Sequence, residues 1–235
     1  MVLAAPLRAA DFSFDPALAQ ADFQKFSRLI AQGIFASPLQ PAGASGLLRF
    51  DVGLAATAVK VDTKAAYWTR SVSRDITVGG GYVAVPRLIV SKGLSGATIS
   101  GSYAKLQSSN ASIIGGSADL PIINGGLVKP TLALRGTYST LSGVDVYKLN
   151  TYGLELFLGK GFGPVTPYGA IGKQRSDARG TIPKTTRTPE ITLRDQSTIN
   201  RYTAGVQFNL FVFKLVVEAN QAEERSFGAK VAFGF

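Results

Sequence analysis

The sequence predicts an all-β fold: a transmembrane, antiparallel, up-and-down β-barrel of about ten strands, preceded by an N-terminal amphipathic helix. Three observations predict it. The strand-like stretches are mostly about 10–13 residues long, and a strand tilted by about 45° needs about 9–11 residues to cross a bilayer. Within them, apolar residues alternate with small or polar ones, which places the two sets on opposite faces. The connections alternate between short turns and longer polar segments, as in membrane barrels.

Composition narrows the class of protein further. The chain has a formal net charge of +10, 26 glycines, no cysteine and no histidine. Without cysteine there is no disulfide framework or thiolate metal site, and without histidine the commonest general base and metal ligand are missing. No apolar run approaches the roughly 18 residues of a membrane helix. We therefore expect no enzyme, no cofactor and no metal, and the basicity predicts an anionic partner.

The N-terminal amphipathic helix is predicted to span residues 15–36. Asp15 suits its N-cap and Pro16 its first helical position. Two prolines and two glycines in residues 37–46 end the helix and form a linker. The apolar face follows the helical spacing and consists of Phe23, Phe26, Ile30 and Ile34.

From residue 47 onward the sequence alternates with a period of two. Residues 1–46 are therefore predicted to be an N-terminal segment with a periplasmic or lumenal helix, and residues 47–235 the transmembrane barrel. The polar parity is mostly glycine, serine, threonine and alanine, which suits a confined interior, so the apolar parity is expected to face lipid. The predicted strands are 47–61, 80–91, 96–106, 111–120, 129–140, 146–158, 164–175, 197–209, 212–221 and 225–235.

The lengths of the connections distinguish the two rims of the barrel. Residues 62–79 and 176–196 are long and polar, whereas the turns on the other rim are short and rich in glycine. With an even number of strands, both chain ends are expected at the short-turn rim. Aromatic residues near strand ends predict girdles at the membrane surfaces: Tyr82, Tyr103, Tyr138, Tyr147, Tyr152, Tyr168, Tyr202, Phe227 and Phe235.

The final strand carries a specific signature. Phe227, Val231, Phe233 and the terminal Phe235 share one parity. This pattern resembles the C-terminal strand of Gram-negative outer-membrane β-barrel proteins. The resemblance implies that Phe235 is the signal read by the outer-membrane assembly machinery, that the barrel lies in the cell outer membrane in contact with its lipid and lipopolysaccharide, and that both termini are periplasmic. It identifies the superfamily and no particular family within it.

The inward parity also carries charges, six positive and four negative. Because burying an unpaired charge costs several kcal/mol, these groups must pair or meet water. They either form a network that closes the barrel or line a thin polar pore that mildly favours anions. The predicted lumen-lining residues are Arg49, Asp51, Arg87, Asp119, Arg135, Glu155, Arg201, Lys214, Glu218 and Lys230.

The long connections are basic, and we expect them to meet lipopolysaccharide phosphates. Nucleic-acid binding is not expected, since the sequence has no recognition helix or aromatic–basic motif. The cations predicted to face lipopolysaccharide are Lys64, Arg70, Arg74, Arg179, Lys184, Arg187 and Arg194.

Two functions follow as expectations. With the helix as a plug or as a cap on the periplasmic mouth, the barrel would be a small passive, porin-like channel for transport or uptake of a small hydrophobic or amphipathic solute. Alternatively, it is a closed structural or interaction barrel that binds lipopolysaccharide or a periplasmic partner, with its lumen filled by the charged residues. An enzyme ranks third because histidine is missing.

Overall fold

The computed structural model describes residues 12–43, 47–72, 80–105, 112–126, 129–184 and 189–234. It contains two helices and ten strands: α1 (Gln20–Ile34), β1 (Phe50–Lys60), α2 (Ala66–Thr69), β2 (Tyr82–Leu94), β3 (Ala97–Lys105), β4 (Ser112–Ile123), β5 (Thr131–Ser142), β6 (Tyr147–Gly159), β7 (Val165–Ile182), β8 (Ile191–Leu210), β9 (Phe213–Gln221) and β10 (Arg225–Gly234).

The ten strands form one closed antiparallel barrel in which each strand pairs with its neighbours in sequence. The first and last strands close the ring, in register from Asp51 opposite Gly234 to Val59 opposite Ser226. Closure pairs the first strand with the last, so the sheet has no free edge strand, as a spanning structure in lipid requires. The predicted fold class is therefore confirmed.

The outer wall is apolar and exposed. Leu54 is 71% exposed, Ile171 59% and Val231 56%, and all three lie on the parity that faces away from the lumen. In water such a continuous apolar surface would be unfavourable, whereas in a bilayer it is solvated by acyl chains. Among the described residues, no helix is long and apolar enough to cross a membrane.

Aromatic side chains lie on the outer wall toward the long-connection rim. Tyr138 and Tyr152 are direct cross-strand partners with ring centroids 5.1 Å apart, and Tyr82 and Phe227 lie 6.1 Å apart. They form a girdle together with Tyr103 and Tyr202. Tyr147 and Tyr168 were predicted to join the girdles, but both point into the lumen and are buried; the predicted Phe235 lies outside the described residues.

The β7–β8 hairpin is longer than predicted. Residues 176–196 were expected to be a loop, but β7 and β8 extend through most of them and reach 18 and 20 residues. The inward side chains of this extension, such as Ala178 and Leu193, are buried and belong to the same apolar cluster as α1. The pairing therefore continues because its inner face has a core to cover, even where its outer face is polar.

The N-terminal segment occupies the barrel interior. Phe12 forms a β-bridge with Val72 in the β1–β2 connection, at the long-connection rim, and α1 runs inward from there. The chain then continues to Gly43, whose carbonyl accepts a hydrogen bond from Thr98 near the short-turn rim, at 2.8 Å. We call residues 12–43 the plug.

The helix occupies the lumen, one of its two predicted places, but its predicted start is wrong. The helix begins at Gln20 rather than Asp15, because Asp15 instead closes a local turn in which its carboxylate accepts a hydrogen bond from the backbone of Ala17 at 2.7 Å. The helix also lies nearer the long-connection rim than the short-turn rim, which was expected to be its periplasmic mouth. The plug starts at the rim opposite the end of β10, so the two ends of the described chain do not share a side.

This topology predicts a labelling pattern. Because the native chain has no cysteine, single cysteines at Ala17, Lys64 and Phe211 can be probed with a membrane-impermeant thiol reagent. Ala17→Cys and Lys64→Cys should react from one side of the membrane, and Phe211→Cys, in the β8–β9 turn, from the other. Labelling of Ala17→Cys from the same side as Phe211→Cys would contradict the path of the plug through the lumen.

Candidate functional site

The candidate site is the lumen and the plug inside it. The structure places all ten charged residues predicted to line the lumen on its inner side, with Arg49 just ahead of β1. Most of them are almost fully buried, and Arg135 has no exposed surface. What matters chemically is which of these charges pair with one another and which pair with the plug.

One group centres on Arg135. It donates to both carboxylate oxygens of Asp119, at 2.6 and 2.8 Å, and also to the backbone carbonyl of Gln40 at 3.0 Å. Its guanidinium lies 4.2 Å from the ring centroid of Phe157. A bidentate pair of this kind is among the strongest polar contacts in proteins, and here it also holds a carbonyl of the plug.

A second group centres on Arg201. It donates to Glu155 at 3.2 Å and to Asn220 at 2.7 Å, and its guanidinium lies 4.3 Å from the ring of Phe35 in the plug. Glu218 completes the network. It accepts hydrogen bonds from Tyr168 at 2.9 Å and Asn220 at 3.1 Å, and from the plug residue Ser37 at 3.4 Å.

Arg87 and Lys230 form no ion pair in the described part of the chain and bind the plug instead. Arg87 donates to the carbonyl of Phe35 at 2.5 Å and that of Gly33 at 3.5 Å, and it also contacts Thr57. Lys230 donates to the carbonyl of Pro38 at 2.6 Å. The last carbonyls of a helix carry partial negative charge, so Arg87 is placed where a cation stabilises the end of α1.

Four glycines of the barrel wall make room for plug side chains. A Cβ atom at Gly153 would overlap the Phe35 ring, and one at Gly228 would lie 2.5 Å from Leu39. Gly115 faces Ala36 and Gly180 faces Phe23 in the same way. The small inward residues noted in the sequence therefore accommodate a segment of the chain rather than an open pore.

The half of the lumen nearer the long connections is an apolar core. The predicted helix face, formed by Phe23, Phe26, Ile30 and Ile34, is buried there against inward residues of the wall such as Val59 and Leu141. Phe12, Phe14 and Tyr147 pack around the same helix face in one stacked and three edge-to-face ring pairs, with centroids 5.5–6.1 Å apart. The polar lumen expected from the sequence is thus confined to the other half.

The rim of the plug is tied to the β9–β10 connection. Lys25 pairs with Glu224 at 3.5 Å and Arg28 with Glu223 at 3.6 Å. Gln32 donates to the carbonyl of Glu224 at 2.7 Å. The outermost of these charges are exposed enough for solvent screening to weaken them, so the buried contacts deeper in the lumen contribute more to holding the plug.

A second anchor at this rim involves α2. Tyr67 accepts a hydrogen bond from the backbone of Asp62 at 2.7 Å, and the ammonium of Lys25 lies 5.2 Å from its ring centroid. Burial raises the pKa of Tyr67 above that of an exposed phenol.

At the short-turn rim the lumen opens into a vestibule of about 670 Å³. Its lining includes Pro41 and Gly43 of the plug, together with Gln207 and Lys214 of the wall. Asp51 is bonded by both Arg49, at 2.9 Å, and Lys214. The vestibule is therefore polar and weakly cationic, and the plug forms its inner end.

The predicted lipopolysaccharide-facing cations divide into three sets. Lys64, Arg70 and Lys184 lie exposed in connections at the long-connection rim, and Arg70 donates to the carbonyl of Ala17 in the plug at 2.7 Å. Arg179 and Arg194 lie on the outer faces of β7 and β8. Arg74, Arg187 and the predicted assembly signal Phe235 lie outside the described residues.

Sequence reasoning missed the residues that follow the helix. Ser37, Leu39 and Gln40 are buried contacts of the wall, although residues 37–46 were interpreted as a linker. A usable signal was present: this segment is longer than a tight turn needs, and it carries the apolar Leu39. In the part of the chain that the structure describes, no cluster of acidic side chains could hold a metal ion.

No protein-family model and no curated protein matches the chain. Among solved structures, it is similar to the N-terminal β-barrel domain of Pseudomonas aeruginosa OprF, at 14% identity over 81% of this chain and 100% of that chain, with a TM-score of 0.38. It is also similar to the outer membrane protease OmpT from Escherichia coli (9%, 85% and 100%, 0.43) and to Ail, the attachment invasion locus protein of Yersinia pestis (13%, 83% and 100%, 0.31). Likenesses this distant carry no argument about activity or partner.

The geometry itself defines the class of protein. A closed barrel with a lipid-exposed apolar wall and an aromatic girdle is a transmembrane β-barrel of the outer-membrane type. This barrel is further distinguished by a plug made from its own N-terminal segment, which both an apolar core and a polar network hold in place.

The Arg135–Asp119 pair predicts that a single variant is less stable than the matching double variant. Arg135→Met should lower the free energy of unfolding by about 3–5 kcal/mol, because it leaves a buried carboxylate without its partner. The double variant Arg135→Met/Asp119→Leu should recover a large part of that loss, since no charge is then left unpaired. Urea unfolding in lipid vesicles measures both. A loss under about 1 kcal/mol for Arg135→Met would contradict the assigned pairing.

Proposed function

We propose that this protein is a closed outer-membrane barrel with a structural or interaction role, and that its lumen does not conduct while the plug is seated. The observation that supports this best is the set of hydrogen bonds from the barrel wall to plug carbonyls. Arg87, Arg135 and Lys230 are each almost completely buried and donate to the backbone of residues 33–40. The partners proposed for such a barrel remain lipopolysaccharide and a periplasmic protein.

Energetics favour a seated plug. Removing it would deprive these three cations of their backbone acceptors in an enclosed lumen, and breaking a buried charge interaction costs several kcal/mol. It would also expose the apolar face of α1, including Phe23 and Phe26, which have no exposed surface in the barrel. Fully burying one such side chain contributes about 1.5–3 kcal/mol. Both contributions oppose spontaneous opening.

Passive transport of a small hydrophobic or amphipathic solute is the second candidate. The vestibule of about 670 Å³ at the short-turn rim supports it, since a cavity of that size accommodates a small ligand. Passage across the barrel requires the plug to leave the lumen, so this candidate needs a signal that displaces it. That the protein is not an enzyme stays a prediction from the missing histidine.

The two candidates differ in conductance across a planar bilayer. The unmodified protein should show no conductance above background, because the plug fills the lumen. The pair Gly153→Leu/Gly228→Leu fills the spaces that Phe35 and Leu39 occupy, so it should displace the plug and produce openings. Steady conductance by the unmodified protein would overturn the closed barrel in favour of a channel.

A matched control separates plug displacement from general damage. Gly101 and Gly136 have open space where a Cβ atom would be added, so Gly101→Leu/Gly136→Leu adds the same bulk outside the lumen and should remain silent. Deletion of residues 15–36 provides a second route to the same state. If both lumenal variants fold, as judged by heat-modifiable gel mobility, and both stay silent, the plug is not what closes the lumen.

A further inference from the structure

The outer wall of strands β6, β7 and β8 carries an unusual row of cations. Lys148 is the cross-strand partner of Arg179, and Arg179 is the partner of Arg194. All three side chains are exposed, and among the described residues none is within ion-pair distance of a carboxylate. Like charges directly opposite one another destabilise a sheet, so an anion bound along the row would relieve that repulsion.

More cations lie on the same wall closer to the apolar band. Lys173 and Arg175 follow the outward parity of β7 and are exposed. Asp177 is the acidic residue of this parity of β7, and it accepts a hydrogen bond from Gln196 at 3.1 Å. The described wall therefore presents five cations and one carboxylate, which we call the cation ladder: Lys148, Lys173, Arg175, Asp177, Arg179 and Arg194.

The ladder ends on an apolar groove. A surface depression of about 380 Å³ is lined by Leu134, Leu154, Leu156, Ile171 and Tyr202, with Lys173 at one edge. Leu154 and Lys173 are direct cross-strand partners, so the lowest cation of the ladder adjoins the groove. A single lipid molecule could therefore place an acyl chain in the groove and a phosphate beside Lys173.

The length of the ladder distinguishes between lipids. Lys173 and Arg179 are six residues apart, about 20 Å along the strand and about 15 Å along the axis of a barrel with strands tilted by about 40°. The polar layer on each side of a bilayer is only about 5–8 Å thick. A lipid with one phosphate reaches one level of this ladder, whereas a glycolipid with phosphates on its sugars reaches several.

We propose that the outer wall of β6–β8 is a docking surface for a multiply phosphorylated glycolipid, the lipopolysaccharide of the outer leaflet. Its acyl chain lies in the groove, one phosphate pairs with Lys173 and Arg175, and a more distant phosphate pairs with Lys148, Arg179 and Arg194. This rests on the interaction role proposed above and deepens it, because it selects lipopolysaccharide from the two proposed partners and assigns its surface. It also places the long-connection rim at the outer face of the membrane.

Lipid binding by the purified full chain in phosphatidylglycerol nanodiscs tests the proposal. We expect lipopolysaccharide to bind at least about tenfold more tightly than the same lipid after enzymatic dephosphorylation. The variant Lys148→Gln/Arg179→Gln/Arg194→Gln should lose at least about tenfold in affinity. Native mass spectrometry or fluorescence with labelled lipopolysaccharide provides the readout, and circular dichroism checks folding.

The matched control removes the same charge from the same rim outside the wall. Lys60, Lys105 and Arg225 are exposed and lie near the long-connection rim on β1, β3 and β10, so Lys60→Gln/Lys105→Gln/Arg225→Gln should bind within about twofold of the unmodified protein. An equal loss in both triple variants would overturn the proposal, because only net charge would then matter. Equal binding of the dephosphorylated lipid would overturn it as well.

The failure of this proposal is distinguishable from failure of the closed barrel. Conductance reports on the lumen and lipid affinity on the outer wall. The substituted side chains of the ladder lie on the outward faces of β6, β7 and β8, away from the lumen that holds the plug. A silent barrel that ignores lipopolysaccharide would refute the docking surface alone. A conducting barrel that binds lipopolysaccharide through the ladder would refute closure alone.

Discussion

The structure depends on hydrogen bonds between buried cations of the barrel wall and the backbone of the plug. A charged side chain inside a narrow barrel must find a partner, and not every cation here can find a carboxylate. Arg87 and Lys230 use peptide carbonyls of residues 33–38 instead. These carbonyls lie at the end of α1 and just beyond it, where the helix has no further internal donors. The wall thus supplies hydrogen-bond donors to the carbonyls of the plug, and the plug supplies acceptors to the buried cations of the wall.

The barrel consequently combines two kinds of interior. Near the long connections it is packed like the core of a water-soluble protein, around Phe23 and Phe26. Toward the short turns it is a network of paired charges centred on Arg135 and Arg201. The apolar half orients α1, and the polar half fixes the segment that follows it. The apolar side chains of the outer wall contact lipid, and those of the interior contact the plug. The two sets are different residues, because they alternate along each strand.

Much of the barrel was predictable from the sequence, because period-two alternation over strands this long requires a different environment on each face of the sheet. The inward parity of Asp119 and Arg135 follows from the same alternation. The path of the plug was not predictable, since helical periodicity reveals a buried face without revealing what covers it. The extension of β7 and β8 was not predictable either, because residues 176–196 are rich in polar and charged side chains such as Arg179 and Arg194, as loops are. The inward residues that alternate with them, such as Ala178 and Leu193, are buried in strands because they pack in the same cluster as α1.

Amide hydrogen exchange of the plug tests the central claim most directly. In the native protein in nanodiscs, peptides covering Phe23 to Leu39 should exchange as slowly as peptides from β5 and β6, because their amides become accessible only when the plug leaves a closed barrel. Exchange of these peptides as fast as that of the exposed β8–β9 turn, while the strands stay protected, would show that the plug is not held by the lumen.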